Sequence, residues 1–304
     1  SDGWSMVLSL RHMADFYQRA LEGELPSRVE LPQFQDYVAY EQAARSSDQY
    51  RQAEAYWQEK LSRPLEPARL YGRLRPPGKT RADRVSVVLG EERTRRLMEL
   101  AQHPDLFVKT ENVTLFNIFV ALLAAYVSRV SDVTHVSIGS PFFGRPTETF
   151  RRTIGLFVEV LPFYIDVETH STFVSLVQRV AAEAQETLRH RQFPVRNPID
   201  RPAYEFSVNY PPPFLAEFNG TPVSSYWIPN GHQNVSVALS FHDYEGSGNL
   251  TVDLDLQCDV FPESRRPKAM GHFLQLLDSF LEDPEQPVAR ANLLPPAERE
   301  RKEM

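Results

Sequence analysis

Acid–base chemistry would have to start from eight histidines: His12, His103, His135, His170, His190, His232, His242 and His272. None is adjacent to another and no His-Glu-x-x-His occurs, so a zinc hydrolase of that type has no ligand set. His12 and Asp15 share a helix face and read as a surface pair. His135 opens a strand after a turn, where capping is the plainer role. His242 stands at the polar phase of a strand beside Asp243; it is weighed for a catalytic role and set aside. Gly139-Ser140-Pro141-Phe142 does not make a Gly-x-Ser-x-Gly elbow. The one cysteine, Cys258, falls in an alternating strand with no basic neighbour to lower its pKa, and reads as a small strand residue. A single cysteine also excludes a disulfide framework and a Cys-rich zinc site. The chain lacks both Gly-x-x-x-x-Gly-Lys-Ser/Thr and Gly-x-Gly-x-x-Gly, so nucleotide binding by those loops has no support.

The elements that would position any site follow from composition and periodicity. At ~100–200 residues per domain, 304 residues make about two domains or one large one. An apolar share of 42% with 24% charged reads as globular, not disordered. A net charge of -7 lacks the basic footprint of a nucleic-acid binder. The longest near-apolar run, Leu115 to Val127, is read as too short to span a bilayer. No basic-then-apolar leader opens the chain, so a reducing cytoplasmic setting is expected.

Trp4, Val7, Leu10, Ala14, Tyr17 and Leu21 recur at three and four, which predicts a helix over 3–22. Asp2 sits at its N-cap and Gly23 at its C-terminal turn. Residues 24–47, with Pro26 and Pro32, read as irregular. A second helix covers 48–62. Arg63-Pro64 and Arg75-Pro76-Pro77-Gly78 punctuate 63–82, which reads as a connection between two units. Beyond it the spacing predicts a strand at 85–89, a helix over 91–102, a helix apolar almost all round over 114–130, and a strand at 135–140. A strand over 157–167 carries Pro162, which points to an edge or a bulge. An amphipathic helix over 172–189 and a strand at 203–209, stopped by Pro211-Pro212-Pro213, come next. Two alternating runs, 235–242 and 250–257, enclose Gly246 and Gly248 and predict an antiparallel hairpin. A final helix covers 264–282. Helices, a connection, then mixed strands and helices describe an α/β unit with a mixed sheet and a helical part ahead of it.

Recognition carries this further. Ser1-Asp2-Gly3-Trp4-Ser5-Met6 resembles the stretch that follows the paired histidines in condensation domains of nonribosomal peptide synthetases, whose signature HHxxxDG commonly continues Trp-Ser. LPQFQDYVAYEQ at 31–42 and AYWQEKLS at 55–62 resemble the family's Tyr-x-x-Tyr and Tyr-Trp segments. Residues 114–145 resemble its buried helix, strand and Gly-Arg loop. IGLFVEVLPFYIDV at 154–167 is similar to its Ile-Gly-Phe-Phe-Val-Asn-Thr-Leu-Pro, with Glu159-Val160 in place of Asn-Thr. DRPAYEFSVNY at 200–210 resembles its Ser-Arg-Pro-Leu-Phe-x-x-x-Phe-Asn-Tyr, with Ala203-Tyr204 in place of Leu-Phe. LDLQCDVF at 254–261 and LLPPAERE at 293–300 match its closing strand and tail.

The resemblance implies a mixed-sheet, chloramphenicol-acetyltransferase-like α/β sandwich. Residues 1–66 would be a remnant of the N-terminal lobe, 67–82 a linker and 83–304 the full C-terminal lobe. A floor loop would lie at about 144–155 and a latch at about 220–233. It implies an amide-forming acyltransferase within a larger chain: an acceptor amine attacks a donor acyl thioester. Both groups would be held on phosphopantetheine arms of upstream donor and downstream acceptor carrier proteins, in a peptide or hybrid polyketide–peptide line. No cofactor would be bound by the chain itself. The partners are those carriers and the remainder of the N-terminal lobe, with no nucleic acid and no membrane. Because the sequence begins inside HHxxxDG, the histidine pair lies upstream of Ser1, and the chain alone is expected to be inactive. The Gly3 backbone N–H at the helix start is the oxyanion candidate. Asp2 is expected to pair with Arg145, the alternative being a simple N-cap and a solvated arginine. Asn209 is either a tunnel-wall residue or a sheet-end turn residue. Two rival functions stay open: a related acyltransferase acting on a free alcohol or amine, and a non-catalytic condensation-like docking domain.

Overall fold

Side-chain caps start several of the helices in the computed structural model, which describes residues 1–26, 30–195, 203–211 and 217–303. Asp2 caps α1 (Gly3–Glu22) by accepting from the Ser5 N–H, and Gly23 ends it in the left-handed region. Next come α2 (Phe34–Ala44) and α3 (Asp48–Ser62), the latter capped by Ser47. The rest runs β1 (Ala82–Val88), α4 (Gly90–Ala101), α5 (Glu111–Ser131), β2 (His135–Phe142), α6 (Glu148–Arg151), β3 (Glu159–Asp166) and α7 (Phe173–Arg189). It closes with β4 (Phe206–Asn209), β5 (Glu217–Phe218), β6 (Thr221–Pro222), β7 (Val237–His242), β8 (Thr251–Gln257), α8 (Arg266–Glu282) and α9 (Pro296–Glu303).

Six strands form one mixed sheet in the order β1-β8-β7-β4-β2-β3, and β5-β6 make a small hairpin of their own. β2, β4 and β7 run parallel, while β1, β8 and β3 pair antiparallel to their neighbours. One face is apolar: Val237, Leu239 and Phe241 of β7 and Val252, Leu254 and Leu256 of β8 are fully buried. It packs on α4, α5, α7 and α8, whose buried residues join the same core. The alternate positions give the other face a polar character, with Arg84, Asp253, Asp255 and Gln257 on β1 and β8.

Most of the periodic segments match the sequence reading, and the differences have local causes. α2 lies inside the stretch read as irregular. None of its residues is fully buried, so its apolar side chains made no core-facing stripe to read. The α6 turn and α9 went unread because each is short and carries no buried apolar periodicity of its own. β4 is shorter than expected and begins at Phe206; Pro212 and Pro213, read as its stop, lie outside the described residues. Cys258 falls one residue beyond β8 instead of within it, and burial with Asp83 nearby pushes its thiol up. Pro162 does lie on an edge strand, opposite Gly139, where the missing N–H leaves no central ladder broken. The exclusion of a membrane span by length fails: α5 is long and apolar enough to cross one. Burial of 72% of its apolar window makes it the core helix of this sheet.

Candidate functional site

The loop between β2 and β3 turns back at Gly144, whose φ of +51° suits glycine. A Cβ there would stand 1.9 Å from the Phe157 carbonyl oxygen, so the loop closes on itself only without one. That closure aims Arg145 at the start of α1. Its Nη1 and Nη2 donate to Asp2 Oδ2 and Oδ1, each at 2.8 Å, a two-point contact that a lysine could not copy. Both side chains are almost wholly buried, at 1% and 2% exposure.

Asp2 receives more than the guanidinium. The Phe157 N–H donates to Oδ2 at 2.9 Å, and the Ser5 N–H and hydroxyl donate to Oδ1 at 2.9 and 2.8 Å. Burial alone would raise its pKa. The Arg145 bonds and these N–H groups outweigh burial and hold the carboxyl well below the usual carboxylate range. Ser5 also ties in Gly155, accepting from its N–H at 3.0 Å and lying 2.7 Å from its carbonyl oxygen. Around this clamp, Trp4 Nε1 donates to the Arg151 carbonyl at 2.9 Å and the Trp4 ring meets Phe143 edge-on. The Arg145 guanidinium lies 4.2 Å over the Phe157 ring, and α2 packs on that ring through Phe34 and Tyr37. Ser5, Gly155 and Phe157 were not singled out from sequence. The three-residue spacing Asp2 to Ser5, typical of a capped first turn, was the available signal for Ser5.

Gly3 is the first residue of α1, so its N–H has no intrahelical acceptor. A Cβ at Gly3 would meet nothing within 4 Å, so the backbone is open on that side. Asn209 is half-buried at the C-terminal end of β4, opposite Ser240 of β7. The parallel run of β2, β4 and β7 puts it at the same end of the sheet as the Arg145 loop. The fold therefore brings Asp2, Gly3 and Arg145 together and sets Asn209 at the same end of the sheet.

Two further charged features border the clamp. Glu159, which opens β3 just past Phe157, is pushed up to about 7 by burial and then by the Glu41 carboxylate of α2. Tyr37 beside them is pushed up to about 12 by burial and by the same two acids. The segment expected as a latch at about 220–233 lies against β1 and follows a contact with α1. Phe218, just before it, meets Tyr17 of α1 with ring centroids 5.5 Å apart. Trp227 accepts from Arg84 of β1 at 3.0 Å, and His232 bridges to Arg81. The histidines set aside stay in pairs of their own: His135 with Asp166 at 2.6 Å and His242 with Asp253 at 3.2 Å. Asp15, read with His12, pairs instead with Arg19 at 3.1 Å. Among the described residues no group of three or more His, Cys, Asp or Glu could hold a metal ion.

A mixed six-stranded sheet backed by helices, with a carboxylate–guanidinium clamp joining the first helix to the β2–β3 loop, defines a mixed-sheet α/β protein. The Condensation domain family matches residues 1–301, and the chain belongs to that family. It is 27% identical over 314 residues to a plipastatin synthase subunit of Bacillus subtilis (strain 168), covering 99% of this chain and 12% of that one. It is 27% identical over 317 residues to a linear gramicidin synthase subunit of Brevibacillus parabrevis, covering 99% of this chain and 6% of that one. Among solved structures it resembles the first condensation domain of the calcium-dependent antibiotic synthetase in complex with a substrate analogue. That likeness has a TM-score of 0.81 at 23% identity, over 97% of this chain and 65% of the other. The chain thus spans a small part of the curated relatives and about two-thirds of the solved domain.

Proposed function

We propose that the chain is part of an amide-forming condensation domain of a nonribosomal peptide synthetase. The observation that carries this reading is the family match along residues 1–301, and the resemblance of Asp2-Gly3 to the end of the histidine signature supports it. In the proposed reaction the acceptor amine attacks the carbonyl of the donor thioester, a tetrahedral oxyanion forms, and the thiol leaves. A neutral imidazole ahead of Asp2 would position or take the amine proton. Asp2 and Arg145 are positioning residues: their clamp would fix where that imidazole stands relative to the β2–β3 loop. The N–H of Gly3, at the positive end of α1, would stabilise the oxyanion. Asn209 would line the passage along which the substrates meet. Donor and acceptor carrier proteins would deliver both groups on phosphopantetheine arms, so the chain itself would need no bound cofactor. Residues 1–66 would belong to one lobe and 83–304 to the other. The floor loop at 144–155 and the latch at 220–233 would bridge them, in keeping with the reach of 217–233 from α1 to β1.

The test is a carrier-loading assay read by mass spectrometry, on this chain joined behind an upstream segment that ends in HHxx, so that Ser1 supplies the third x of the signature. Product is expected as an amide on the acceptor carrier, with Asp2→Asn reducing the rate. Product released to a free alcohol or amine would favour the related acyltransferase. Binding of carriers without turnover would favour a docking role.

A further inference from the structure

β1 is an edge strand of the six-stranded sheet. The Arg81 carbonyl accepts from the Cys258 N–H at 2.9 Å, and the Leu89 N–H donates to the Leu250 carbonyl at 2.8 Å. The odd-numbered residues thus turn their backbone groups to β8, and those of Ala82, Arg84, Ser86 and Val88 face the open edge. A ladder starts on that edge and stops. Residues 231–233 run antiparallel to 80–82, with Arg81 opposite His232. The Ala82 N–H donates to the Gly231 carbonyl at 2.9 Å, and the Gln233 N–H to the Thr80 carbonyl at 2.6 Å. The same register continued would set Pro229 opposite Arg84, Ile228 opposite Val85, Trp227 opposite Ser86 and Tyr226 opposite Val87. Instead the chain turns away at Gly231, whose φ is +77°. Among the described residues Arg84, Ser86 and Val88 make no backbone bond across the edge. The Trp227 carbonyl goes to Arg84 Nη1 at 3.0 Å, while Nε and Nη2 of that guanidinium hold Asp255.

The departing segment fits the edge it leaves. Opposite residues of an antiparallel pair share a face. Ile228 and Tyr226 would therefore join Val85 and Val87, which pack against the core, and Trp227 would join Ser86 on the polar face. As the chain stands, Tyr226 and Ile228 are 75% and 84% exposed. An edge of unpaired N–H and C=O groups is a template for pairing with another molecule, and a strand from the same chain removes it. The turn between the two is a ready hinge. Glycine adopts left-handed and extended backbone about equally well, so Gly231 can follow either path. Pro229 removes one donor from the continued ladder, opposite Arg84, and leaves the other rungs intact. On closing, the Trp227 carbonyl would exchange the Arg84 guanidinium for the Ser86 N–H, so one bond replaces another.

We propose that residues 225–228 are a strap that swings about Pro229–Gly231, held open by Arg84 and closing on the free edge of β1 as one more strand of the sheet. Closure is independent of the amide-forming reading, because it is measured at the sheet edge whatever the chain catalyses. The experiment places Val87→Cys and Tyr226→Cys in the 304-residue chain with Cys258→Ser, and follows disulfide formation under mild oxidation by mass spectrometry. Opposite residues that exchange no hydrogen bonds have Cα atoms about 4.5 Å apart, within disulfide range. That pair is expected to oxidise at least about tenfold faster than Val87→Cys with Trp227→Cys, whose side chains would fall on opposite faces. Gly231→Ala disfavours the left-handed turn, and its Cβ meets nothing within 4 Å. It should raise the oxidation rate at least about threefold. Ile228→Asp, at an exposed position that does not threaten folding, should lower the rate at least about threefold by setting a charge beside Val85. In the chain without added cysteines, exchange of the Ser86 amide should slow with Gly231→Ala and quicken with Ile228→Asp. Equal oxidation of the two cysteine pairs, a rate that Gly231→Ala lowers, or Ser86 exchange indifferent to both variants would overturn the proposal.

Discussion

Asp2 and Arg145 are each almost fully buried, and each answers the other's charge. Removing one partner of such a pair costs roughly 3–5 kcal/mol, because the remaining charge stays buried. Asp2→Asn is therefore expected to lower stability by about that much, read by urea denaturation near pH 7. The pH dependence follows from the depressed pKa of Asp2. Its stabilisation is complete above the unfolded value of about 3.9 and is lost as pH falls through the lower folded value. The variant should lose that part of the acid-side decline. Glu159 acts with the opposite sign. Its folded pKa of about 7 exceeds the ordinary 4.5, so the folded state holds a proton that the unfolded state has released. Stability should fall as pH rises from about 4.5 to about 7 and level off above. Glu159→Gln should flatten that window, and Glu41→Gln should shift it toward lower pH. Denaturation midpoints at about pH 5 and about pH 8, on either side of the folded value of about 7, check both.

At the scale of elements, the clamp depends on how its carriers are held. Gly144→Ala would put a Cβ against the Phe157 carbonyl at a φ of +51°. The strain alone is roughly 1–3 kcal/mol, and the backbone clash adds to it. The expected result is a destabilised protein in which the Asp2–Arg145 contact is loosened, read by denaturation and by faster exchange of the Phe157 amide. α3 is held by a second buried pair. Lys60 Nζ lies 2.5 Å from Glu183 Oε1 and 3.1 Å from Thr187 Oγ1, while the neighbouring Trp57 Nε1 donates to the His190 carbonyl. Burial pulls the Lys60 pKa down even with Glu183 beside it. Lys60→Met should cost roughly 3–5 kcal/mol by leaving Glu183 unpaired. Adding Glu183→Gln should restore much of that loss, because Gln still accepts from the Tyr164 N–H that Glu183 now serves. A double-mutant cycle checks it.

Across the whole molecule, the stretch after α3 is more than a tether. Ala68 and Leu70 are buried in the same core as α5, and Tyr71 bonds to both Tyr126 and His272. Leu70→Ala is expected to cost roughly 2–5 kcal/mol. The loss should appear in a single cooperative transition shared by far-UV circular dichroism and tryptophan fluorescence. Separate transitions for the two probes would show instead that the residues before 67 unfold on their own.

Local periodicity determined a good deal by itself. The amphipathic spacing of α1, α3, α7 and α8 and the alternation of β7 and β8 are visible residue by residue, since a side chain's face follows from helix or strand geometry alone. The family resemblance could be read the same way, as could the pairing of Asp2 with Arg145 that it implied. Tertiary structure alone decided which distant groups share a site. Ser5 of α1 and Phe157 of the β2–β3 loop complete the Asp2 shell, and Glu41 acts on Glu159 across α2 and β3. α2 escaped notice because it docks by aromatic rings on a loop instead of a buried stripe. Such meetings depend on how the whole chain packs, and no short window of sequence encodes that sum.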